Sequence, residues 1–274
     1  MNALLLVLIL AVAQGIAEFL PISSSGHLLV LGNWFGFDAE KNMTLNVVLH
    51  AGTLLAIVVF YFRKLLGILL ESRRRRLILL VIAGSVPAAV VGVSLKIFGM
   101  DNVLFSSPWV AVGGFVITAT LLLTVFGVPW KNKLTKNEGI AAERMSFKQA
   151  LLIGCSQAIA ITPGISRSGS TISVGVLCKL RKADAAEFSF LLAIPAIGGA
   201  ALLELKEMLQ EGASAYSRSD ILLYAAGFAA SAVVGYAALA GLLAMLKRGK
   251  LGFFACYLYL AAVIVAAVQI IKLI

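Results

Sequence analysis

Six long apolar runs limit what this chain of 274 residues can fold into. They occupy residues 45–62, 77–95, 110–128, 188–203, 221–246 and 251–271. Each run is close to the roughly 20 residues that a helix needs to cross the hydrocarbon core of a bilayer. Charged residues make up only 13% of the chain, about half the share that soluble domains carry. The sequence therefore predicts an all-α integral membrane protein with about six transmembrane helices.

The net charge of +10 is unevenly distributed along the chain. Lysines and arginines gather between the apolar runs, around residues 63–64, 73–76, 131–148, 179–182 and 247–250. An excess of basic residues in short loops is typical of the cytoplasmic side of multi-pass proteins. This distribution argues against nucleic-acid binding. It predicts a multi-pass chain in contact with membrane lipid, with these loops in the cytoplasm.

An internal repeat appears when the chain is shifted by 143 residues. QGIAEFLPISSSGHLLVLG, at residues 14–32, then aligns with QAIAITPGISRSGSTISVG, at residues 157–175, with eight of 19 positions identical and no gap. The identities include Gln, Ser and Gly, which chance similarity between apolar helices does not explain. We interpret residues 1–274 as one membrane domain made of two repeats, about 1–130 and 144–274. Each repeat holds three spans, an odd number, so the two are expected to insert with inverted topology.

Each repeated segment also contains a helix break. Pro21 precedes a serine cluster in the first copy, and Pro163-Gly164 precede a cluster of serines and one arginine in the second. Broken helices at membrane depth are tolerated only where the irregular backbone is buried in protein or lines a wet cavity. In transporters with inverted repeats, such breaks mark the binding site. We therefore expect two re-entrant helical hairpins whose tips meet near the midplane.

The residues at the two tips suit an anion. Helix N-termini present unpaired N–H groups and a partial positive charge, to which hydroxyls add further donors. An arginine at membrane depth is costly and is a candidate for function by default. The predicted anion-binding residues are Ser23, Ser25, Gly164, Ser166, Arg167, Ser168, Ser170 and Thr171. Two alternatives stay open: the serines only cap helices, and Arg167 is a structural partner of Glu18.

Four further residues of the first tip carry candidate chemistry. Glu18 lies one helical turn after Gln14, so a carboxylate and an amide share a face and could hold Mg²⁺ or Ca²⁺. The alternative for Glu18 is a plain ion pair with the arginine. His27 follows the hydroxyls, of which Ser24 is one, and is a candidate nucleophile or acid–base group. For His50, inside an apolar run, we favour a packing role.

Two motifs carry a resemblance to a known family. QGIAEFLPISSSGH, at residues 14–27, resembles the first signature of the bacterial undecaprenyl-diphosphate phosphatases, the bacitracin-resistance family. PGISRSGST, at residues 163–171, resembles their second signature, and EFSFLLAIP, at residues 187–195, also fits. The resemblance extends over essentially the whole chain. It implies a hydrolase that uses a divalent cation to convert undecaprenyl diphosphate to the monophosphate. This reaction recycles the lipid carrier of cell-wall peptidoglycan synthesis.

The resemblance also implies residue roles. Glu18 matches the essential motif glutamate, and Gln14 matches its Glu/Gln partner in the neutral form, which leaves one carboxylate for Mg²⁺ or Ca²⁺. Ser24 and His27 match the two residues proposed as nucleophile or acid–base group, and these residues leave that choice open. The diphosphate-binding motif falls on Ser166, Arg167 and Thr171.

The same resemblance places the chain in the bacterial inner (plasma) membrane, with the substrate a polyprenyl diphosphate lipid. Sidedness follows from the basic loops, which predict an active site open to the outer, periplasmic face. Because inverted repeats with broken helices also build transporters, a secondary transporter or polyprenyl-phosphate flippase that uses the same pocket is the alternative function. Monomer and homodimer both stay open.

Overall fold

The computed structural model describes residues 3–35, 43–71, 75–100, 107–127, 139–211, 217–248 and 251–273. Within these ranges the chain is helical, apart from its connections and one isolated β-bridge between Ile140 and Leu180. A short 3₁₀ turn occupies Ala142–Arg144. The helices are α1 Ala3–Phe19, α2 Ser24–Phe35, α3 Met43–Phe60, α4 Phe62–Leu70, α5 Arg75–Ile97, α6 Pro108–Leu122, α7 Phe147–Ile159, α8 Arg167–Leu177, α9 Lys182–Glu211, α10 Arg218–Lys247 and α11 Phe253–Leu273.

Five of these helices are long and apolar enough to cross a membrane. They are α5, α6 with its following π-helical turn, α9, α10 and α11. A sixth candidate combines α3 and α4, which are bent by 68° at Tyr61. Large apolar side chains such as Val233 and Ile271 are more than 70% exposed, as expected where lipid covers the surface. The predicted all-α membrane protein with about six spans is confirmed.

The helix breaks fall where the sequence predicts them. α1 ends before Pro21 and α2 begins at Ser24, while α7 ends before Pro163 and α8 begins at Arg167. Left-handed backbone turns the chain at both breaks, with φ of 68° at Ser23 and 87° at Gly164. Glycine adopts this conformation without strain, whereas the serine is held there by its surroundings. In α1–α2 and α7–α8, one short helix therefore ends and another starts within the protein.

The two halves of the chain share their order of helices. With the shift of 143 residues, α2 starts where α8 starts and α5 starts where α10 starts, and the other pairs agree within a few residues. Packing follows the same scheme, because α1 packs against α10 as α7 packs against α5. α6 and α11, the last helices of the two halves, pack against each other. Opposite insertion of the halves and re-entry of the broken helices stay predictions.

Two ion pairs fix the segments on the side of the basic loops. Lys64 of α4 pairs with Glu187 of α9, which ties the bent helix to the second half. Arg181 Nε lies 2.6 Å from Asp184 Oδ2, and Asp184 also accepts the Ala142 N–H. The hydrogen bonds that the Arg181 guanidinium donates to this carboxylate raise the pKa of Arg181. Parts of the predicted basic loops, including residues 72–74, 128–138 and 249–250, lie outside the described residues.

Candidate active site

An ion pair joins the two broken helices. Arg167, the first residue of α8, directs Nη2 to 2.6 Å from Oε1 of Glu18, which lies in the last turn of α1. The two side chains are only 15% and 6% exposed. Such a short bond between charged groups is among the stronger hydrogen bonds in proteins. The pairing of Glu18 with Arg167 that the sequence left open as an alternative is therefore present, and it brings the two tips together.

The other carboxylate oxygen of Glu18 receives two bonds from the first broken helix. Ser24, the first residue of α2, donates its hydroxyl to Oε2 at 2.7 Å. Gln14, one turn earlier on α1, donates its Nε2 to the same oxygen at 3.1 Å. The amide oxygen of Gln14 is buried and has no hydrogen-bond partner in the part of the chain that the structure describes. Three of the predicted site residues thus converge on one carboxylate.

The second tip is fixed by hydrogen bonds to α6. The N–H of Ser166 donates to Oγ1 of Thr118 at 2.9 Å, and that hydroxyl donates to the Gly164 carbonyl at 3.2 Å. The Ser166 hydroxyl caps α8 by accepting the N–H of Gly169 at 3.1 Å. This cap satisfies one of the N–H groups that a helix start leaves unpaired. Thr118 therefore sets the position of the backbone around Gly164 and Ser166.

A second set of contacts orients Arg167 itself. Its Nη1 donates to the Ser189 carbonyl of α9 at 3.3 Å. The hydroxyls of Ser189 and Thr171 lie 2.6 Å apart, and Thr171 also donates to the Arg167 carbonyl at 2.7 Å. Together with the bond to Glu18, two of the five N–H groups of the guanidinium donate to described residues of the protein, and the other three are open to oxygens of a ligand. Ser189 is a site residue that the sequence did not single out, although it lies in the EFSFLLAIP stretch.

The tips also touch through small residues and backbone. Ser168 donates its hydroxyl to the Leu20 carbonyl at 3.2 Å. A Cβ on Gly26 would lie 2.8 Å from the Gly164 Cα, and a Cβ on Gly169 would lie 3.2 Å from the Pro21 Cβ. Glycine is needed at Gly26 because backbone from the other half occupies the space of a side chain.

The remaining hydroxyls predicted to bind the anion also line the two tips. At the first tip, the hydroxyls of Ser23 and Ser25 lie 3.4 Å apart. Ser170 and Thr171 are buried in the first turn of α8. Thr171, Ser166 and Ser168 already bond protein groups, so their ligand-binding roles stay predictions.

His27 sits beside the first tip with both ring nitrogens engaged. Nδ1 lies 2.8 Å from the Ser23 carbonyl and Nε2 lies 2.7 Å from the Tyr257 hydroxyl of α11. Because a carbonyl only accepts, Nδ1 carries the proton, and the hydroxyl donates to Nε2 of the neutral ring. Phe115 packs on the ring with a centroid distance of 5.1 Å. His27 thus holds the turn at Ser23. No pattern in the sequence singles out Tyr257.

His50 lies beside Glu18, and the packing interpretation of this residue stays a prediction. His50 Nε2, on α3, lies 3.7 Å from Oε2 of Glu18, and its side chain is 32% exposed. Nδ1 bonds the Asn46 carbonyl at 2.8 Å. The available signal was a titratable residue inside an apolar run, but the matching position of the repeat is Ala193, which favoured packing.

The donor atoms of Gln14 and Glu18 are of a kind that suits a divalent cation, and cation binding stays a prediction. The amide group of Gln14 lies beside the Glu18 carboxylate, and both groups carry oxygen donors of the kind that Mg²⁺ and Ca²⁺ prefer. Among the described residues, no group of three or more His, Cys, Asp or Glu side chains could hold a metal ion. Gln14 and Glu18 therefore suit a cation that takes further oxygen ligands from a substrate.

The fold and this site define a multi-pass membrane protein with a buried polar centre between two broken helices. Comparison with known proteins shows the family to which the chain belongs. The profile of the family described as Bacitracin resistance protein BacA matches residues 7–264. The chain therefore belongs to the BacA family.

Two curated relatives extend this result. Both carry the name undecaprenyl-diphosphatase. That of Rubrobacter xylanophilus is 41% identical over 285 residues, covering 99% of this chain and 100% of the relative. That of Rhodopirellula baltica is 41% identical over 270 residues, covering 98% and 100%. These findings support the resemblance read from the two motifs and give no support to the transporter alternative.

Proposed function

We propose that this chain hydrolyses undecaprenyl diphosphate to undecaprenyl phosphate and inorganic phosphate, and so recycles the lipid carrier of cell-wall synthesis. Membership of the BacA family and two full-length relatives named undecaprenyl-diphosphatase support this activity. The observation that carries it in the structure is the Glu18 carboxylate, which bonds the Ser24 hydroxyl and the Arg167 guanidinium at once. The Ser24 hydroxyl as nucleophile and the Arg167 guanidinium as phosphate-binding group thereby both contact Glu18, the proton acceptor.

Arg167 and the helix starts bind the diphosphate in this proposal. Three N–H groups of the guanidinium remain for phosphate oxygens, and its planar fork suits them. The starts of α2 and α8 add N–H groups and partial positive charge from two directions. Donors already in place offset the charge that develops on the phosphate oxygens in the transition state. The isoprenoid tail lies in the apolar surroundings of the membrane.

Ser24 is the nucleophile in our mechanism. Its oxygen attacks the terminal phosphorus while Glu18 Oε2, 2.7 Å away, accepts the hydroxyl proton. The bond between that phosphorus and the bridging oxygen breaks, and undecaprenyl phosphate leaves. Water then attacks the phosphoserine, releasing inorganic phosphate and restoring the hydroxyl. Ser24 is favoured over His27 because both nitrogens of the imidazole are bonded within the protein.

A divalent cation is part of the proposal. Gln14 and Glu18 would hold Mg²⁺ or Ca²⁺, which supplies further positive charge to the phosphate oxygens when bound. We place the protein in the bacterial plasma membrane with the site open to the outer face, on the basis of the basic loops.

Phosphate release from undecaprenyl diphosphate by the purified protein in detergent tests this function, since no vectorial step exists there. We expect metal-dependent release by the wild type, and a loss of at least about 10³-fold in Ser24→Ala and Arg167→Lys. Arg167→Lys keeps the charge and loses the fork, so its failure reports on geometry. Wild-type protein that binds the lipid but releases no phosphate would contradict the proposal and favour transport.

The identity of the nucleophile has its own readout. Substrate labelled with ³²P at the terminal phosphate, quenched early, should leave label on the protein that is stable in acid and lost in alkali, as phosphoserine is. The label should be absent in Ser24→Ala and present in His27→Gln. A label that is lost in acid, stable in alkali and absent only from His27→Gln would show that His27 is the nucleophile.

A further inference from the structure

His50 presents a fixed nitrogen lone pair to the site. Its Nδ1 lies 2.8 Å from the Asn46 carbonyl, which can only accept, so this nitrogen carries the proton in the neutral ring. Nε2 is then the acceptor, and it lies 3.7 Å from Oε2 of Glu18. Histidines that bind metals in proteins usually donate their other ring N–H to a carbonyl or carboxylate in this way.

A second, independent observation points to a ligand at the same place. Gln14 is fully buried, and its amide oxygen has no partner among the described residues, although its Nε2 bonds Glu18. A buried polar atom without a partner is costly unless something absent from the protein satisfies it. The amide group of Gln14 and Nε2 of His50 both approach Oε2 of Glu18, the former with its Nε2 at 3.1 Å and the latter at 3.7 Å.

The spacing of these groups suits a cation. Ligands at about 2.1 Å from a metal ion stand about 3.0 Å apart at right angles and about 4.2 Å apart on opposite sides. The 3.7 Å between His50 Nε2 and Glu18 Oε2 lies between these limits. The pair is too far apart for a direct hydrogen bond. It matches two ligands of one ion.

We propose that His50 is the third protein ligand of the divalent cation, beside Gln14 and Glu18. This inference rests on the cation of the proposed function and adds a nitrogen ligand to it. Imidazole binds first-row transition ions better than it binds Ca²⁺. The site is therefore expected to bind Mn²⁺ more tightly than Mg²⁺ or Ca²⁺, with the phosphate oxygens of the substrate completing the shell.

The chain supplies its own control. It contains two histidines, His27 and His50. His27 also lies at the first tip, but its nitrogens are bonded to Ser23 and Tyr257, so it has no lone pair for an ion. A signal from a metal-bound histidine must come from one of two residues, and the structure assigns it to His50.

Electron paramagnetic resonance of bound Mn²⁺ tests the proposal without measuring turnover. The protein is labelled with ¹⁵N-histidine, purified without a polyhistidine tag, and mixed with Mn²⁺ and methylenediphosphonate. We expect a ¹⁵N coupling to the bound ion in the wild type and in His27→Gln, and its loss in His50→Gln. The dissociation constant for Mn²⁺ should rise by about tenfold or more in His50→Gln and stay within about twofold in His27→Gln.

Bound Mn²⁺ without a ¹⁵N coupling, or a coupling that disappears only in His27→Gln, would overturn the assignment of His50. The phosphatase itself is judged separately by phosphate release. A ¹⁵N coupling in a protein that releases no phosphate would leave His50 as a metal ligand and refute the function. Release that persists in chelator, with no bound Mn²⁺, would refute the cation and His50 together while leaving the phosphatase intact.

Discussion

Gly26→Ala is the most direct test of the contact between the two tips. In this variant the new Cβ would lie 2.6 Å from Phe115 Cε1, 2.8 Å from Gly164 Cα and 2.9 Å from Gly164 N. The aromatic ring can rotate, but the backbone of Gly164 is held by Thr118. Ordinary contact begins at 3.4 Å, so α2 and the second tip must separate by about 0.6 Å.

The size of the effect follows from that displacement. Overpacking a tight contact costs about 1–3 kcal/mol, so we expect a lower melting temperature in detergent. Ser24 lies on the side of the break that moves and Arg167 on the other side, so the distance between them grows by a similar amount. A displacement approaching 1 Å in a catalytic geometry can reduce the rate by about 10²-fold. We therefore expect kcat to fall by about 10- to 100-fold, with KM changed less.

Gly113→Ala is the matched control, because a Cβ at this exposed position of α6 meets nothing within 4 Å. Both variants are assayed for phosphate release from undecaprenyl diphosphate and for melting temperature. We expect wild-type turnover and equal or higher stability for Gly113→Ala, since alanine is the better helix former. Wild-type turnover in Gly26→Ala would show that the tips do not need this contact, and the proposed geometry of the site would be wrong.

Two further predictions concern hydroxyls that bond other residues of the site and do not contact the substrate themselves. Thr118→Val keeps the shape of the side chain but leaves buried groups of the second tip unpaired, which should cost about 1–3 kcal/mol and lower kcat. Thr120→Val, on the exposed side of the same helix, should change neither the stability nor kcat. An equal loss in the two variants would refute the specific role of Thr118. Tyr257→Phe frees Nε2 of His27 and should lower kcat by about two- to tenfold at unchanged KM. Tyr259→Phe loses a comparable hydroxyl contact elsewhere on α11, so equal effects of the two variants would contradict a role through His27.

The parts of the fold that a short stretch of sequence encodes could be predicted. Pro21 and the serines after it indicate the end of one helix and the start of the next, and the run from Pro163 to Thr171 does the same. The repeat then indicated that the two breaks are equivalent. Because an arginine and a carboxylate inside a membrane need partners, the meeting of Arg167 with Glu18 followed from few assumptions.

The supporting residues could not be predicted in this way. His50, Thr118, Ser189 and Tyr257 lie on helices that are apolar on the lipid side and on the protein side. In soluble helices the polar face reveals which side is buried, but here hydrophobicity does not distinguish the faces. Which single polar residue faces the tips depends on the rotation of each helix, and that is fixed by packing against distant parts of the chain.

The ion pair between Glu18 and Arg167 links residues 149 positions apart. At about 5–20 residues per second, synthesis reaches the arginine roughly 7–30 s after the glutamate. During that interval Ser24 and Gln14, which donate to Glu18, are already present in the first half, but the guanidinium that balances the charge of the carboxylate is not. The polar centre is therefore completed only after the second half of the chain has been synthesised.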